Sequence, residues 1–464
     1  MAWRSCSTTQ YVYHVGMANI NPRRKRATLN PDHARQRQAP AAADEEVERR
    51  LEELLKPAVY AELEYYRQLG LRNRLLTLPV MVSVVLAMIW RRVPGVCTLQ
   101  RMLAEERILW TQPTVVSQPA LSKRFLTFPA VLFERVLYRV ITRLPERYRQ
   151  RSRPELPLIQ ALQGRFAASW AVDGTTLTAL FRKLQSLQAA PDAPLAGHLV
   201  AVVDLISHLP AKLWFFEEPS TNDKVAIPEL LAWLVPNSLI VFDMGYFSFP
   251  FFDALTEAKC WFVTRLRNKT SYQVQRVLID RPHFKESIVQ LGKYRSNPSK
   301  YPVRLIEVYL GKQWYRYITN VLEPKQLSAM EVIAAYGCRW HIETTFLLVK
   351  RLLNLAYLWV GSLNGVQLQV WATFLFYAIL IDLCDEIADH LHLPLDRISV
   401  EMVYRSLYFY HAAVSQGYRQ GAAEYLAEKA DRLGIVKRQR PRAGPPLEEQ
   451  VRRALLTSPP RPAS

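Results

Sequence analysis

The chain has 464 residues, half of them hydrophobic, which is enough to bury two or more cores and excludes a wholly disordered protein. Its 60 Lys and Arg residues outnumber its 41 Asp and Glu residues, and the net charge of +19 favours a polyanionic partner, nucleic acid first and an acidic membrane second. The five cysteines are far apart and form no CxxC pair, which argues against a disulfide framework and against a zinc site.

The N-terminal third predicts an arm followed by helices. Residues 1–45 are basic, then Pro- and Ala-rich, then acidic, which is typical of a disordered arm that is either a solvated tail or a contact for DNA. Residues 46–153 are amphipathic or apolar stretches with short breaks, and we expect a helical N-terminal DNA-binding domain there. Ser117 and Ser122 are candidate helix N-caps, followed by a Lys-Arg pair at the start of a basic helix. Helical domains of this kind are also common in other classes of protein.

The next segment alternates strands and helices. The stretch FAASWAVDGTTLTALF predicts a strand that ends in a turn at Asp173-Gly174, and two further strands follow. The stretch NDKVAIPELLAWL predicts a capped helix, and NSLIVFDMGYFSF predicts a buried strand that ends at Asp243. One more helix and one more strand complete the pattern, which predicts an α/β domain with a mixed sheet.

Residues 270–325 predict a β-rich segment, with a hairpin that turns at Gly311. From Ser328 the pattern is helical to about Leu433, and a basic, Pro-rich tail that we expect to be mobile ends the C-terminal region of residues 401–464.

Membrane and secretory segments are not expected. The first thirty residues lack the apolar stretch of a secretory signal, so we expect a cytoplasmic protein. The apolar runs Leu75–Trp90 and Val370–Ile381 are shorter than the ~20 residues that a membrane span needs, and we expect both to be buried helices.

Two aspartates have matched surroundings. Asp173 and Asp243 each follow an apolar strand, and each is followed within two residues by a glycine, as is common for polar chemistry in α/β folds. Either aspartate could equally be a turn former.

The stretch AYGCRWHIETTFLLVKRLL places polar residues on one side of a predicted helix. At ~100° per residue, Tyr336, Arg339, Glu343 and Lys350 form one narrow stripe over about four turns. The stripe is either a solvated helix edge or a functional surface. With Asp173 and Asp243, Glu343 would complete a set of three carboxylates, which can hold two hard divalent cations ~3.5–4 Å apart for phosphoryl transfer on nucleic acid.

In this order, DGTTL, DMGYFS and the spacing Y-x2-R-x3-E-x6-K resemble the DDE transposases of bacterial insertion sequences, in the insertion sequence 4 family. The resemblance covers about residues 60–400. It implies an RNase H-like mixed-sheet catalytic core over residues 160–400, with a β-rich insertion at about 270–325.

The resemblance also implies the roles of the site residues. Asp173, Asp243 and Glu343 would be catalytic and would bind two Mg²⁺ ions, for which Mn²⁺ can substitute. The DNA contacts would come from Tyr336, Arg339 and Lys350. Trp314 is a candidate for stacking on a base only by its location in the insertion.

Four other polar residues receive weaker assignments. Asp204 is expected to have a structural or supporting role. The spacing of His198, His208 and His341 does not suggest a ligand set.

The sequence thus predicts a bacterial, nucleoid-associated transposase. It would bind double-stranded DNA at terminal inverted repeats and at a target, act as a homodimer in a synaptic complex, and cut and join strands. The alternatives are a DNA-binding protein that retains the fold without activity and a two-metal nuclease that never joins strands.

Overall fold

A computed structural model describes residues 45–178, 195–218, 221–353, 355, 358–359, 362–438 and 447–456. The predicted N-terminal arm therefore lies, except for its last residue, outside the described residues. Parts of the predicted Pro-rich tail also lie outside them.

Helices occupy the chain from Glu45 to Gln163, where a helical region is predicted. They are α1 (Glu45–Ala61), α2 (Leu63–Gln68), α3 (Leu78–Trp90), α4 (Val96–Glu105), α5 (Gln118–Thr127), α6 (Ala130–Ile141), α7 (Leu144–Gln150) and α8 (Pro157–Gln163). Ser117 caps α5 as predicted, because its side chain accepts a hydrogen bond from the Ala120 amide at 3.3 Å. The prediction for Ser122 is wrong, since it lies inside α5 and accepts a hydrogen bond from Gln118.

A mixed sheet follows, with nine strands in the described part of the chain. They are β1 (Ala168–Thr178), β2 (Leu195–Asp204), β3 (Pro210–Phe216), β4 (Ser238–Phe242), β5 (Trp261–Arg265), β6 (Tyr272–Arg281), β7 (Phe284–Leu291), β8 (Val303–Leu310) and β9 (Gln313–Thr319). The spatial order is β3-β2-β1-β4-β5-β9-β8-β7-β6. The pairs β1–β4 and β4–β5 are parallel, and the other neighbours are antiparallel.

The sheet confirms most of the sequence pattern. The predicted β-rich segment supplies β6–β9, which extend the same sheet, and Gly311 turns the β8–β9 hairpin in the left-handed region, at φ 66°. One prediction is wrong, because β1 does not turn at Asp173-Gly174. It continues through both residues to Thr178 and pairs with β2 from Trp170 to Thr178.

Further helices cover the sheet. They are α9 (Ile227–Trp233), α10 (Phe249–Glu257), α11 (Ala329–Cys338), α12 (Trp340–Leu347), α13 (Leu363–His390), α14 (Val400–Ser415), α15 (Ala422–Glu428), α16 (Ala430–Leu433) and α17 (Leu447–Leu456). α17 departs from the predicted mobile tail, since Val451 and Ala454 are buried and the helix packs on β7 and β8.

Alternate residues of the central strands enter two cores. Trp170 and Val172 of β1 belong to an aromatic-rich core with α9 and α10 on one face. Ala171 and Leu177 belong to a larger core on the other face, which includes α1, α3, α6 and α13. By the same alternation, Asp173 faces the larger core, on the side where α12 packs.

The centre of the larger core is α13. By length and composition this helix could cross a membrane, but 94% of its most apolar window is buried inside the protein, which is typical of a core helix. It extends past the apolar run that ends at Ile381, and arginines of the N-terminal helices neutralise the next residue, Asp382. Asp382 accepts hydrogen bonds from Arg50 and Arg151, at 2.7 and 2.8 Å. These ion pairs link the N-terminal helices to α13, the helix that follows the sheet.

Candidate active site

Asp173 and Asp243 lie side by side on two inner strands of the sheet, at the point where β4 ends. β1 and β4 are parallel neighbours, and their register pairs Val172 with Phe242, the residues directly before the two aspartates. Asp243 follows the end of β4, and its Oδ1 accepts a hydrogen bond from the Gly245 amide at 2.7 Å. The structure therefore brings together the two aspartates that the sequence singled out.

A third aspartate, Asp223, completes a group of three. Oxygen atoms of Asp173, Asp223 and Asp243 lie within 4.8 Å of one another, in one of two such clusters in the described residues. Asp223 opens a short 3-10 helix after β3, and its Oδ1 lies 2.9 Å from Nε2 of His198 on β2. Sequence reasoning assigned Asp223 no such role, because its local pattern is only that of a helix start.

Two glycines provide the space in which these carboxylates meet. A Cβ on Gly174 would lie 2.0 Å from Asp223 Oδ1 and 2.7 Å from His198 Nε2. A Cβ on Gly245 would lie 2.7 Å from Asp243 Oδ1 and 3.1 Å from Asp223 Oδ2. Gly174 is thus required for close approach of the acids and not for the predicted turn.

A nearby positive charge would stabilise the ionised forms of these partly buried carboxyl groups. Burial, and then the neighbouring charge of Asp243, raise the pKa of Asp173 to about 7, although Arg339 opposes the shift. Burial, followed by the charges of the three aspartates, raises the pKa of Tyr246 far above its ordinary value. The Tyr246 hydroxyl is buried and has no hydrogen-bond partner among the described residues.

Glu343 lies beside this group and outside the three-carboxylate cluster. Arg339 donates to Glu343 Oε1 at 2.6 Å and to Asp173 Oδ2 at 3.3 Å, so one guanidinium links the first and last predicted carboxylates. One third of the Glu343 side chain, 33%, is exposed, whereas Asp173 is 14% exposed. Two residues of the predicted trio meet directly, and the third is connected through Arg339.

The predicted stripe is not one continuous helix. α11 ends at Cys338, Arg339 forms a turn, and α12 is followed by a π-helical turn over Leu348–Leu352. Arg339 and Lys350 still both contact β1, at Asp173 and at Thr175 and Thr176, whereas Tyr336 packs on β9.

Tyr336 and Lys350 occupy the two ends of the stripe. The Tyr336 ring packs edge-on against Tyr317 at 5.4 Å, and the Arg339 guanidinium lies 5.7 Å from its centre. Lys350 donates to Thr175 Oγ1 and, at 2.7 Å, to Thr176 O, both on β1. Burial lowers the pKa of Lys350 to about 8.

Two further predictions from the sequence concern Trp314 and Asp204. Trp314 is 38% exposed on β9 and packs against Tyr309, 5.6 Å away, which leaves its stacking role a prediction. Asp204 has the structural role expected of it, because its Oδ1 accepts hydrogen bonds from the amides of Ile206 and Ser207 at 3.0 and 2.7 Å.

The histidine prediction needs correction. Spacing alone suggested no ligand set, yet the fold brings His208 and His341 together with Asp396, in the second cluster of possible metal ligands in the described residues. The three residues come from segments that are far apart in sequence, so no local spacing rule could have found them.

The comparisons with known proteins concern the segment that contains these residues. Residues 171–379 match the family model described as the Transposase DDE domain, which spans Asp173, Asp243 and Glu343. This segment of the chain is therefore similar to a transposase domain.

One curated relative and one solved structure can be described. A protein named "Putative transposase y4zB", from Sinorhizobium fredii, is 28% identical over 152 residues. That match covers 30% of this chain and 41% of the relative, so the chain spans less than half of the relative's length. The structure of a piggyBac transposase synaptic complex with hairpin DNA has a TM-score of 0.38 and 11% identity, over 87% of this chain and 85% of that one. A likeness this weak supports no inference about this chain.

Proposed function

We propose that this protein is a DDE transposase of the insertion sequence 4 family, with an RNase H-like core in the β3-β2-β1-β4-β5 part of the sheet. It would bind the terminal inverted repeats of its own element, cut the DNA and transfer the 3′ ends to a target. The observation that carries the proposal is the meeting of Asp173, within β1, and Asp243, directly after the parallel neighbour β4, in a segment that matches a transposase domain.

The acid cluster fits a divalent metal. Its donors are carboxylate oxygens, which Mg²⁺ prefers, and Asp173 is both largely buried and next to Asp243, so a bound cation would stabilise its ionised form. Asp173 and Asp243 would hold two Mg²⁺ ions, for which Mn²⁺ could substitute, with Asp223 and Glu343 as further candidates. Such ions would polarise a phosphodiester and lower the pKa of an attacking water or hydroxyl group.

Protein side chains around the acids would position the DNA. Arg339 holds Glu343 against the end of β1, so its first role would be to orient that carboxylate. A guanidinium can also bind a phosphate with two parallel hydrogen bonds, which would make Arg339 the main backbone contact. Tyr336 and Lys350 flank it and would contact the same strand. The net charge of +19 supports a nucleic-acid partner.

Two further parts of the proposal follow from the chemistry of transposition. Two ends must be paired before joining, so we propose that the protein acts as a homodimer in its complex with double-stranded DNA. We also propose that it acts in the bacterial cytoplasm, at the nucleoid, where its substrate would be found.

A cleavage and joining assay tests the proposal. The full chain is mixed with Mg²⁺ and with DNA that carries the inverted repeats flanking its gene, beside Asp173→Asn, Glu343→Gln and a Glu401→Gln control. The carboxylate of Glu401 is half exposed and pairs with Arg405 on α14, away from the cluster. Cleavage at the repeat junction by the wild type and the control alone, with joined products, is the expected result.

Other outcomes point to the two alternatives. Cleavage without joining would indicate a nuclease that does not transpose. Binding of the repeats without cleavage in Mg²⁺ or Mn²⁺ would indicate a DNA-binding protein, and unaffected cleavage by Asp173→Asn would remove the acid cluster from the mechanism.

A further inference from the structure

A second cluster of possible metal ligands lies apart from the three aspartates. It consists of His208 in the turn between β2 and β3, His341 on α12, and Asp396 in the short 3-10 helix after α13. His341 Nε2 lies 3.1 Å from Asp396 Oδ1, and His208 Nε2 lies 3.6 Å from the same oxygen. The two imidazole rings are 4.2 Å apart between their centres.

These separations suit a tetrahedral metal ion. Zinc binds imidazole nitrogen and carboxylate oxygen at ~2.0–2.2 Å, so two ligands of one tetrahedral zinc are about 3.3–3.5 Å apart. The two measured separations, 3.1 and 3.6 Å, lie on either side of that range. All three ligand atoms lie within 4.8 Å of one another, so the three side chains could serve as ligands of one such ion.

The state of the His208 side chain suits metal binding. Burial, and then the neighbouring His341, lower the pKa of His208 below its ordinary value, which keeps the imidazole in the neutral form that binds metals. Among the described residues, His208 Nε2 is buried without a hydrogen-bond partner.

The backbone presents His208 in a specific way. His208 has a left-handed conformation with φ 59°, which is uncommon for a residue other than glycine and is held here by surrounding hydrogen bonds. Its amide donates to Asp204 O at 3.0 Å, and Asp204 caps the same turn through its side chain. The turn therefore has a fixed shape before any ligand binds.

We propose that His208, His341 and Asp396 form a binding site for a single zinc-type divalent ion. Two imidazoles and one carboxylate are softer ligands than a set of carboxylates and select zinc or a similar transition metal over Mg²⁺. The ion would join three segments, namely the β2–β3 turn, the helix that carries Glu343 two residues after His341, and the segment after α13. Its role is structural, because it fixes α12 against the sheet, and the site does not depend on the proposed transposase activity.

Metal binding by the full chain tests the proposal. The chelator-treated protein is titrated with Co²⁺ and with Zn²⁺ in millimolar Mg²⁺, which competes for the aspartate cluster. Intense visible absorption of Co²⁺ reports a four-coordinate site, unlike the weak absorption of six-coordinate Co²⁺, and the bound metal is counted by elemental analysis. We expect one ion per chain, and a rise in melting temperature with Zn²⁺ alone that Mg²⁺ does not reproduce.

Variants locate the ion. His208→Ala and His341→Ala should weaken metal binding by more than ~10–100-fold, the cost of changes outside the ligands themselves. The control is His283→Ala. His283 is exposed and lies next to Tyr309, so its substitution should not change metal binding. The Lys437 ammonium donates a hydrogen bond to the main-chain oxygen of Asp396 at 2.9 Å, so Lys437→Met removes a nearby positive charge. That variant should bind the ion more tightly than the wild type.

Two results would overturn the proposal. One is the absence of stoichiometric Zn²⁺ or Co²⁺ in the wild type, which would identify the cluster as a His-Asp ion-pair network. The other is equal metal binding by wild type and His208→Ala. The wild-type measurement requires no variant to fold, and Lys437→Met distinguishes a bound cation from an ion pair.

Discussion

Asp223 shows how much one residue outside any recognisable motif can matter to this site. It shares the cluster with Asp173 and Asp243 and lies 2.9 Å from His198. We expect Asp223→Asn to raise the Mg²⁺ concentration needed for half-maximal cleavage by about 10–100-fold, the cost typical of changes around a metal's ligands.

The measurement is a Mg²⁺ titration of the cleavage rate, with Asp280→Asn as the matched control. Asp280 is 67% exposed on β6, so its substitution should leave the titration unchanged. If Asp223→Asn has the midpoint of the wild type, this residue takes no part in metal binding.

Gly174 is the second residue whose role depends on atoms distant in sequence. A Cβ there would lie 2.0 Å from Asp223 Oδ1, a distance that requires the acid or the strand to move. We expect Gly174→Ala to destabilise the fold by about 1–3 kcal/mol, as overpacking typically does, and to abolish cleavage.

Gly164 provides the control for this substitution. A Cβ at Gly164 meets no atom within 4 Å, so Gly164→Ala should melt and cleave as the wild type does. Thermal melting and the cleavage assay measure both effects. Normal activity in Gly174→Ala would show that the acids need not approach as closely as the structure places them.

At the scale of elements, the hydrophobic pattern predicted most strands of the sheet. It did not predict the contacts between elements. β2 and β3, the strand that ends at Asp243 and the hairpin at Gly311 follow from alternation and turn residues. The turn predicted at Asp173-Gly174 was wrong, because a glycine can serve a close approach as well as a turn, and a single sequence does not distinguish the two.

The same limit applies to the site. Asp173 and Asp243 were singled out by the apolar strand before each and the glycine after it, and Glu343 by its place in a spaced motif. Asp223 and the pairing of His208 with Asp396 depend on how loops fold over the sheet, and no periodicity encodes that. The interruption of the stripe at Arg339 was also missed, since the residues there retain helical propensity.

The contact between α13 and the N-terminal helices gives a prediction at this scale. Asp382 is almost fully buried and pairs with Arg50, Arg147 and Arg151. Removal of one partner leaves buried charges uncompensated, so we expect Asp382→Ala to lower the free energy of unfolding by about 3–5 kcal/mol.

Denaturant unfolding of the full chain measures the change, with Glu401→Ala as control. Glu401 and Arg405 form an exposed pair, whose loss should cost at most about 1 kcal/mol. Equal stability of Asp382→Ala and the wild type would mean that the arginine cluster tolerates an apolar partner.

The pH dependence of this ion cluster has a definite sign. The charges of Arg50, Arg151 and Arg147 hold the pKa of Asp382 below its ordinary 3.8, although burial opposes them. Its contribution to stability is therefore complete well above pH 3.8 and is lost as the pH falls through that value and below. We expect Asp382→Asn to remove part of the acid sensitivity of the wild type, as unfolding measured across that range would show.

At the scale of the whole molecule, the net charge of +19 and the similarity of residues 171–379 to a transposase domain together predict strongly salt-dependent DNA binding. A protein that contacts about 6–10 phosphates loses about 10³–10⁵-fold in affinity between 50 and 200 mM salt. Lys350 tests whether the stripe belongs to that contact surface. Its ammonium has three donors, and the structure accounts for two, on Thr175 and Thr176.

We expect the third donor of Lys350 to bind a phosphate, so Lys350→Met should reduce the slope of log affinity against log salt by about one unit. Because burial lowers the pKa of Lys350 to about 8, this difference between variant and wild type should be present at neutral pH and fade as the pH rises above that value. Thr175→Val, which removes an acceptor without changing charge, should keep the wild-type slope. If Lys350→Met keeps that slope as well but melts at a lower temperature, Lys350 anchors the π-helical turn to β1 and does not contact DNA.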